Sequence, residues 1–240
     1  MHNTLDILAF GAHPDDVELS CAGTLALEIN KGKTAGIIDL TQGEMGTRGS
    51  KDLRAKEADA AAKALGVSIR HNLKFKDALF ENNEANKLEV IKMIRHYRPK
   101  VVFCNAIRDR HIDHGRGSTL VSEACFLSGL KKYKTVYEGI EQEEWRPDHV
   151  YHYIQWYDIE PDFVVDISDT IETKMASVLA YKSQFHDPTS DEPETPISSS
   201  NFLESVRYRA RNFGRIIGTD YAEGFTAERY IGVASVFDLI

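Results

Sequence analysis

Cysteine is scarce. Three residues in 240 (Cys21, Cys104 and Cys125) are an odd number and too scattered for a disulfide framework or a zinc ribbon. They read as small buried hydrophobes in a reducing cytoplasm, the expected location. No apolar run approaches the roughly 18 residues of a membrane span, so no membrane partner is expected. The first residues meet the Asp15-Asp16 pair too soon for a secretion signal. A basic excess is also missing. Lys and Arg total 29 against 37 Asp and Glu, a net charge of −8, which argues against a broad nucleic-acid face. The first apolar segment ends without the G-x-G-x-x-G that places a pyrophosphate on a helix N-terminus.

What is present suits a soluble globular protein: 42% hydrophobic and 28% charged residues, with no repeat and no convincing linker. One domain over residues 1–240 is expected, long enough to bury roughly 70% of its unfolded surface. Strand patterns fall at 5–10 (LDILAF), 34–40, 68–75 and 101–105 (VVFCN). Helix patterns fall between and after them, at 21–30, 50–65, 86–97 and 117–130, with Gly66 and Arg98-Pro99 as stops. Such alternation predicts a parallel sheet covered by helices on both faces. The second half is less regular. Strands are expected at 150–157 and 163–167, helices at 168–183 and 202–217, and a possible final strand in the tail. Residues 185–200 hold three prolines and read as a long surface loop, a candidate lid.

Two short stretches carry chemistry. GAHPDD (residues 11–16) directly follows the first strand, and RDRHIDH (residues 108–114) follows VVFCN. Sites in open α/β sheets form at the carboxyl ends of strands, so both stretches belong at one edge. Alone, GAHPDD reads equally well as a polar turn with Asp16 capping a helix. Together the two deliver His13, Asp16 and His114 to one point. That is three ligands with a fourth position open, the pattern of a catalytic zinc. Asp15 neighbours the ligands and is the candidate general base. A protonated His111 would stabilise an oxyanion and later protonate a leaving amine. Asp113 would orient a histidine through its ring N–H. Two-metal phosphoesterase chemistry is the rival, but it needs more bridging ligands. The spare histidines His71, His96, His149, His152 and His186 lack ligand spacing.

GAHPDDVELSCAGTL and RDRHIDHGR resemble the two zinc motifs of the LmbE-like (PIG-L-like) N-acetylglucosaminyl deacetylases. LTQGEMGTRGS, LRAKEA, AYKSQF and YAEGF extend the resemblance over nearly the whole chain. It is nearest to the branch that deacetylates N-acetylglucosaminyl malate (GlcNAc-malate) in bacillithiol biosynthesis. The resemblance implies a Rossmann-like three-layer α/β fold with a mostly parallel central sheet. It implies one Zn2+ per subunit on His13, Asp16 and His114, with Fe2+ or another divalent metal suiting the same ligands. Asp15 becomes the base and His111 the oxyanion or acid residue. Arg54 and Asp77 match substrate-binding residues. Glu44 and Arg48, in a Gly-rich loop at the same edge, are expected at the substrate, with Arg48 on a malate carboxylate. For Arg54 and Arg110 the plainer reading is exposed charge. Relatives form trimers or hexamers, so a homo-oligomer is expected.

Departures are visible. Ile112 stands where many relatives have proline. Phe202 stands where some have a tyrosine, so no hydroxyl is assigned there. Other open readings are a deacetylase of another N-acetylglucosamine conjugate, an amidase of a thiol conjugate, and a non-catalytic metal- or sugar-binding protein.

Overall fold

A computed structural model describes residues 4–185 and 189–239. The first half alternates as the sequence predicts: β1 (Ile7–Gly11), α1 (Asp16–Asn30), β2 (Ala35–Thr41), α2 (Lys51–Leu65), β3 (Ile69–Phe75), α3 (Glu84–Tyr97), β4 (Val101–Cys104) and α4 (Ile112–Ser128). A hairpin, β5 (Thr135–Tyr137) and β6 (Ile140–Gln142), precedes β7 (His149–Tyr153) and β8 (Phe163–Asp166). Then come α5 (Ile171–Val178), α6 (Ser200–Ile217) and β9 (Ala222–Ala227), the tail strand.

Seven strands form one sheet in the order β3-β2-β1-β4-β7-β9-β8. The pairs from β3 through β7 are parallel, and β9 runs antiparallel to both of its neighbours. Along β1 the side chains alternate. Ile7 and Ala9 join Val17, Cys21, Leu25 and Phe225 on one face; Leu8 and Phe10 join Ile91, Ile94, Leu120 and Val121 on the other. Both faces of the strand are buried, which is why it reads as an unbroken apolar run. Helices α3 and α4 pack together, as do α1, α2 and α5, completing three layers. Successive strands run outward from β1 to β2 and β3, while β4 pairs on its other side. The crevice between the carboxyl ends of β1 and β4 is thus the switch point where open α/β sheets bind ligands.

Several boundaries differ from expectation; β7, expected to reach residue 157, stops at Tyr153. Helix α1 starts at Asp16, five residues early, and α4 starts at Ile112 instead of Gly117. In both, the polar motif itself forms the first helical turn. Helix α5 ends at Val178, after which tight turns drive Tyr181 into a second cluster with Ala58, Ala61 and Phe185. The short hairpin was not foreseen. Its turn residues Glu138 and Gly139 both have positive φ (51° and 78°), a mirror-image turn for which Gly139 was the sequence signal. All three cysteines are free and buried. Among the described residues no helix is long and apolar enough to cross a membrane.

Candidate metal centre and active site

The turn after β1 is fixed from three sides. The Ala12 N–H donates to Asn105 Oδ1 (2.9 Å), and the Ala12 carbonyl accepts from the N–H and hydroxyl of Thr41 (3.0 and 2.8 Å). A Cβ on Gly11 would lie 3.0 Å from the His13 carbonyl, so a side chain there would press on the turn. Asp15 then takes φ 118°, a conformation costly for any residue but glycine. Strain of this kind persists where the surroundings enforce it, most often at functional sites. Across the crevice, His111 caps α4, its Nδ1 accepting from the Asp113 N–H at 3.3 Å.

Two imidazoles meet one carboxylate. Asp16 Oδ1 lies 3.1 Å from His114 Nε2, and Oδ2 lies 3.6 Å from His13 Nδ1. The other nitrogen of each ring is anchored on carboxylates. His13 Nε2 donates to Asp113 Oδ2 (3.2 Å) and Asp77 Oδ1 (3.1 Å), and His114 Nδ1 donates to Asp109 Oδ2 (2.5 Å). Backing of this sort fixes the tautomer of metal-binding histidines and raises their basicity. Two groupings bring ligand atoms within 4.8 Å of one another: His13, His111 and His114; and His13, Asp77 and Asp113. In the second, Asp113 is committed to the Ala78 N–H and Arg116, and Asp77 to the Met45 N–H. The ring nitrogens of His13 and His114 that remain free face Asp16 at 3.6 and 3.1 Å, a donor set whose chemistry suits a borderline cation, although these three are not one of the two groupings within that span. Asp16 itself is held by the amides of Asn105 (2.9 Å to Oδ2) and Gln155 (3.0 Å to Oδ1).

Asp15 lies beside this set. Its Oδ2 accepts from Arg54 Nη2 at 2.8 Å, and the same nitrogen donates to the Pro14 carbonyl. Burial pushes the Asp15 carboxyl up to about 7 while Arg54 pulls it back. His111 is held below its ordinary value by burial and by the nearby rings of His13 and His114. Donation by His111 does not require that it be protonated. With Nδ1 accepting from Asp113, a neutral ring carries its hydrogen on Nε2.

These groups line one cavity of about 360 Å3 with Arg48, Arg54, Asp77, Trp156, Phe202 and Arg209. The GlcNAc-PI de-N-acetylase (PIG-L) family matches residues 8–125, which include both motifs. The conserved protein TT1542 of Thermus thermophilus is 35% identical, with 96% of this chain and 98% of that one aligned at a TM-score of 0.86. The chain belongs to the PIG-L family. Diacetylchitobiose deacetylase of Thermococcus kodakarensis is 27% identical over 230 residues, 91% of this chain and 81% of that protein. A 4-oxalmesaconate hydratase of Pseudomonas putida is 24% identical over 205 residues, 75% of this chain and 74% of that protein.

In this PIG-L member the structure gathers His13, Asp15, Asp16, Asp77, His111 and His114 at the cavity, with Asp113 behind His13. Arg54 is buried and turned to Asp15, not to open space. Arg48 lines the cavity but donates to the Ser183 carbonyl and Ser190 Oγ (both 2.9 Å) and faces Glu192. Glu44 does not line it. Its carboxylate accepts the N–H groups of Gln42 and Asp77 and so clips the loop after β2 to the loop after β3. Phe202 does line it, stacked between Trp156 (5.6 Å) and Phe185 (5.9 Å). Thr195, Pro196 and Ile197 supply wall from the proline-rich loop. None of His71, His96, His149 and His152 lines the cavity, and His186 lies outside the described residues. Sequence reasoning missed Asp109, Asn105, Gln155 and Arg209. Asp109 had a signal: it stands five residues before His114, inside the motif.

Proposed function

We propose that the protein is a metal-dependent hydrolase removing the N-acetyl group of an N-acetylglucosamine conjugate, with GlcNAc-malate as substrate on the route to bacillithiol. One observation carries the reading. Loops from the carboxyl ends of β1 and β4 bring His13, Asp16 and His114 together around a cavity that also holds Asp15. His13, Asp16 and His114 would hold a zinc or iron(II) ion, which when bound would supply Lewis acidity toward water and the acetyl group. Asp15, kept beside the ligands by Arg54, takes the proton of the attacking water. The His111 Nε2–H donates to the oxygen that becomes negative. The proton held by Asp15 returns to the departing nitrogen, so acetate and a free amine leave. Cytoplasmic location and assembly into trimers or hexamers belong to the same proposal.

Acetate release from GlcNAc-malate, with mass spectrometry of the product and metal content measured on the same sample, tests the reading. The expected product is glucosaminyl malate, lost in His114→Ala together with the metal. Acetate from diacetylchitobiose but not from GlcNAc-malate would replace the substrate. Tight binding with no acetate would favour a non-catalytic binding protein.

A further inference from the structure

Four guanidinium groups line the cavity: those of Arg48, Arg54, Arg110 and Arg209. Three have evident occupations. Arg54 holds Asp15, and Arg48 ties the loop at Ser183 and Ser190. Arg110 is exposed and lies over the Trp156 ring, its guanidinium carbon 4.6 Å from the centroid. Arg209 differs. It stands on α6 beside the buried Ala210, three residues after the buried Val206. Its one hydrogen bond among the described residues runs from Nη2 to the Trp156 carbonyl at 3.3 Å, and it makes no ion pair there. Burial lowers its pKa more than Asp158 and Asp109 raise it. The guanidinium is thus part-buried, with no carboxylate in ion-pair reach among the described residues, and an anionic ligand would complete it. A guanidinium offers five N–H donors in a fork that matches a carboxylate, and only one is used.

We propose that Arg209 determines substrate specificity by pairing an anionic group, a carboxylate, on the alcohol joined to the sugar. This rests on the deacetylase reading above. The acetamido group belongs at the histidines and Asp15, so the rest of the conjugate must extend along the remaining wall. There Trp156 and Phe202 supply apolar wall, and Arg209 offers a guanidinium without an ion pair among the described residues. Arg48, the residue expected for this role, already donates to the loop from Ser183 to Ser190 and faces the Glu192 carboxylate. A phosphate presents the same chemistry to a guanidinium, so the test separates the two.

Acetate release is measured on GlcNAc-malate, N-acetylglucosamine 1-phosphate and methyl N-acetylglucosaminide. The metal-loaded wild type, Arg209→Gln and Arg209→Lys are compared, with circular dichroism on each. In the wild type, kcat/KM is expected to favour the malate conjugate over the methyl glycoside. Arg209→Gln should reduce that ratio at least about tenfold, through KM, as one charge-assisted contact is lost. Arg209→Lys should restore part of it, and it carries the comparison if Arg209→Gln does not fold. A ratio that falls only for the phosphate overturns the carboxylate assignment. Equal losses on all three substrates, or no loss on any, mean that Arg209 only holds Trp156 and overturn the proposal. A wild type that deacetylates the malate conjugate while Arg209→Gln keeps its ratio overturns this proposal alone. A wild type that releases acetate from none of the three overturns the deacetylase reading and this one with it.

Discussion

Arg54 Nη2 bonds Asp15 Oδ2 at 2.8 Å, and both side chains are buried. The arginine arrives from α2 and the aspartate from the turn after β1, so the pair joins a helix to that turn. Without Arg54 the buried Asp15 carboxyl, already at about 7 beside the guanidinium, takes up a proton near neutral pH and is left without its partner. Arg54→Met should therefore cost about 1–3 kcal/mol of stability near neutral pH, as for an unpaired buried polar group, read by denaturant unfolding. Asp15→Asn/Arg54→Met should recover part of that loss, because no orphan carboxyl remains. A double variant as unstable as Arg54→Met alone would show that the arginine acts through packing.

Asp15→Asn alone keeps the shape of the turn and removes the base. Metal content is expected to stay at the wild-type level while acetate release falls about a hundred- to ten-thousand-fold, the usual range for a lost general base. Full activity in this variant would remove Asp15 from the mechanism.

Asp109 gives a separate handle on the metal site. Its Oδ2 holds His114 Nδ1, while Oδ1 accepts the N–H groups of Trp156 and Tyr157. Asp109→Asn leaves an oxygen for those two donors and withdraws the charge from the imidazole. Metal affinity should fall about 10- to 100-fold, as loss of a carboxylate behind a ligand usually produces. Competition against a chromophoric chelator measures it, and wild-type affinity would show that His114 needs no carboxylate behind it.

The layered sheet was legible because buried parallel strands leave unbroken apolar runs such as LDILAF and VVFCN. The two motifs were legible because each is compact and follows such a run. The starts of α1 and α4 were not, since the polar motifs that hold Asp16 and Asp113 lack the apolar period of a helix and yet form the opening helical turns. The clamp on Asp16 was beyond reach for another reason. Gln155 is 139 residues away in sequence and arrives from the segment after β7, so no local spacing announces it. Arg209 was invisible in the same way, because a helix pattern shows which face is apolar, not which cation lacks a partner.

His152 sets a pH dependence away from the candidate metal ligands. Its Nε2 faces Glu228 Oε1 at 3.1 Å, and its Nδ1 faces Ser118 Oγ (2.8 Å) and the Asn105 carbonyl (3.2 Å). Both nitrogens meet acceptors, which suits the imidazolium. Burial alone would lower its pKa from 6.5, but Cys104 and Glu228 outweigh it and carry it up to about 10. A raised histidine stabilises the fold fully below about 6.5 and loses that contribution as pH climbs through about 10. Glu228 is held below its ordinary 4.5, although burial opposes the pull of His152, so its share is lost only as pH falls under that value. The stability difference between wild type and Glu228→Gln should therefore be widest from weakly acidic to neutral pH and shrink toward both extremes. A difference that does not vary with pH would mean the pair is not ionised in the fold.

Gly43 separates strain from displacement. It has φ +64°, and a Cβ there would fall on Arg54 Nη1 and lie 2.7 Å from Cζ. Gly32 has φ +83° with nothing within 4 Å of its would-be Cβ. Alanine at either position carries the left-handed backbone cost of about 1–2 kcal/mol. Only Gly43→Ala must also push the Arg54 guanidinium, the flexible end of its side chain, away from Asp15. Gly43→Ala should thus lose more stability than Gly32→Ala in thermal unfolding, because the buried Arg54–Asp15 pair is disturbed as well, and Gly43→Ala alone should lose acetate release. If both variants turn over substrate like the wild type, the fine placement of Arg54 beside Asp15 does not matter to the chemistry. If both lose activity alike, backbone strain explains the loss and the guanidinium does not.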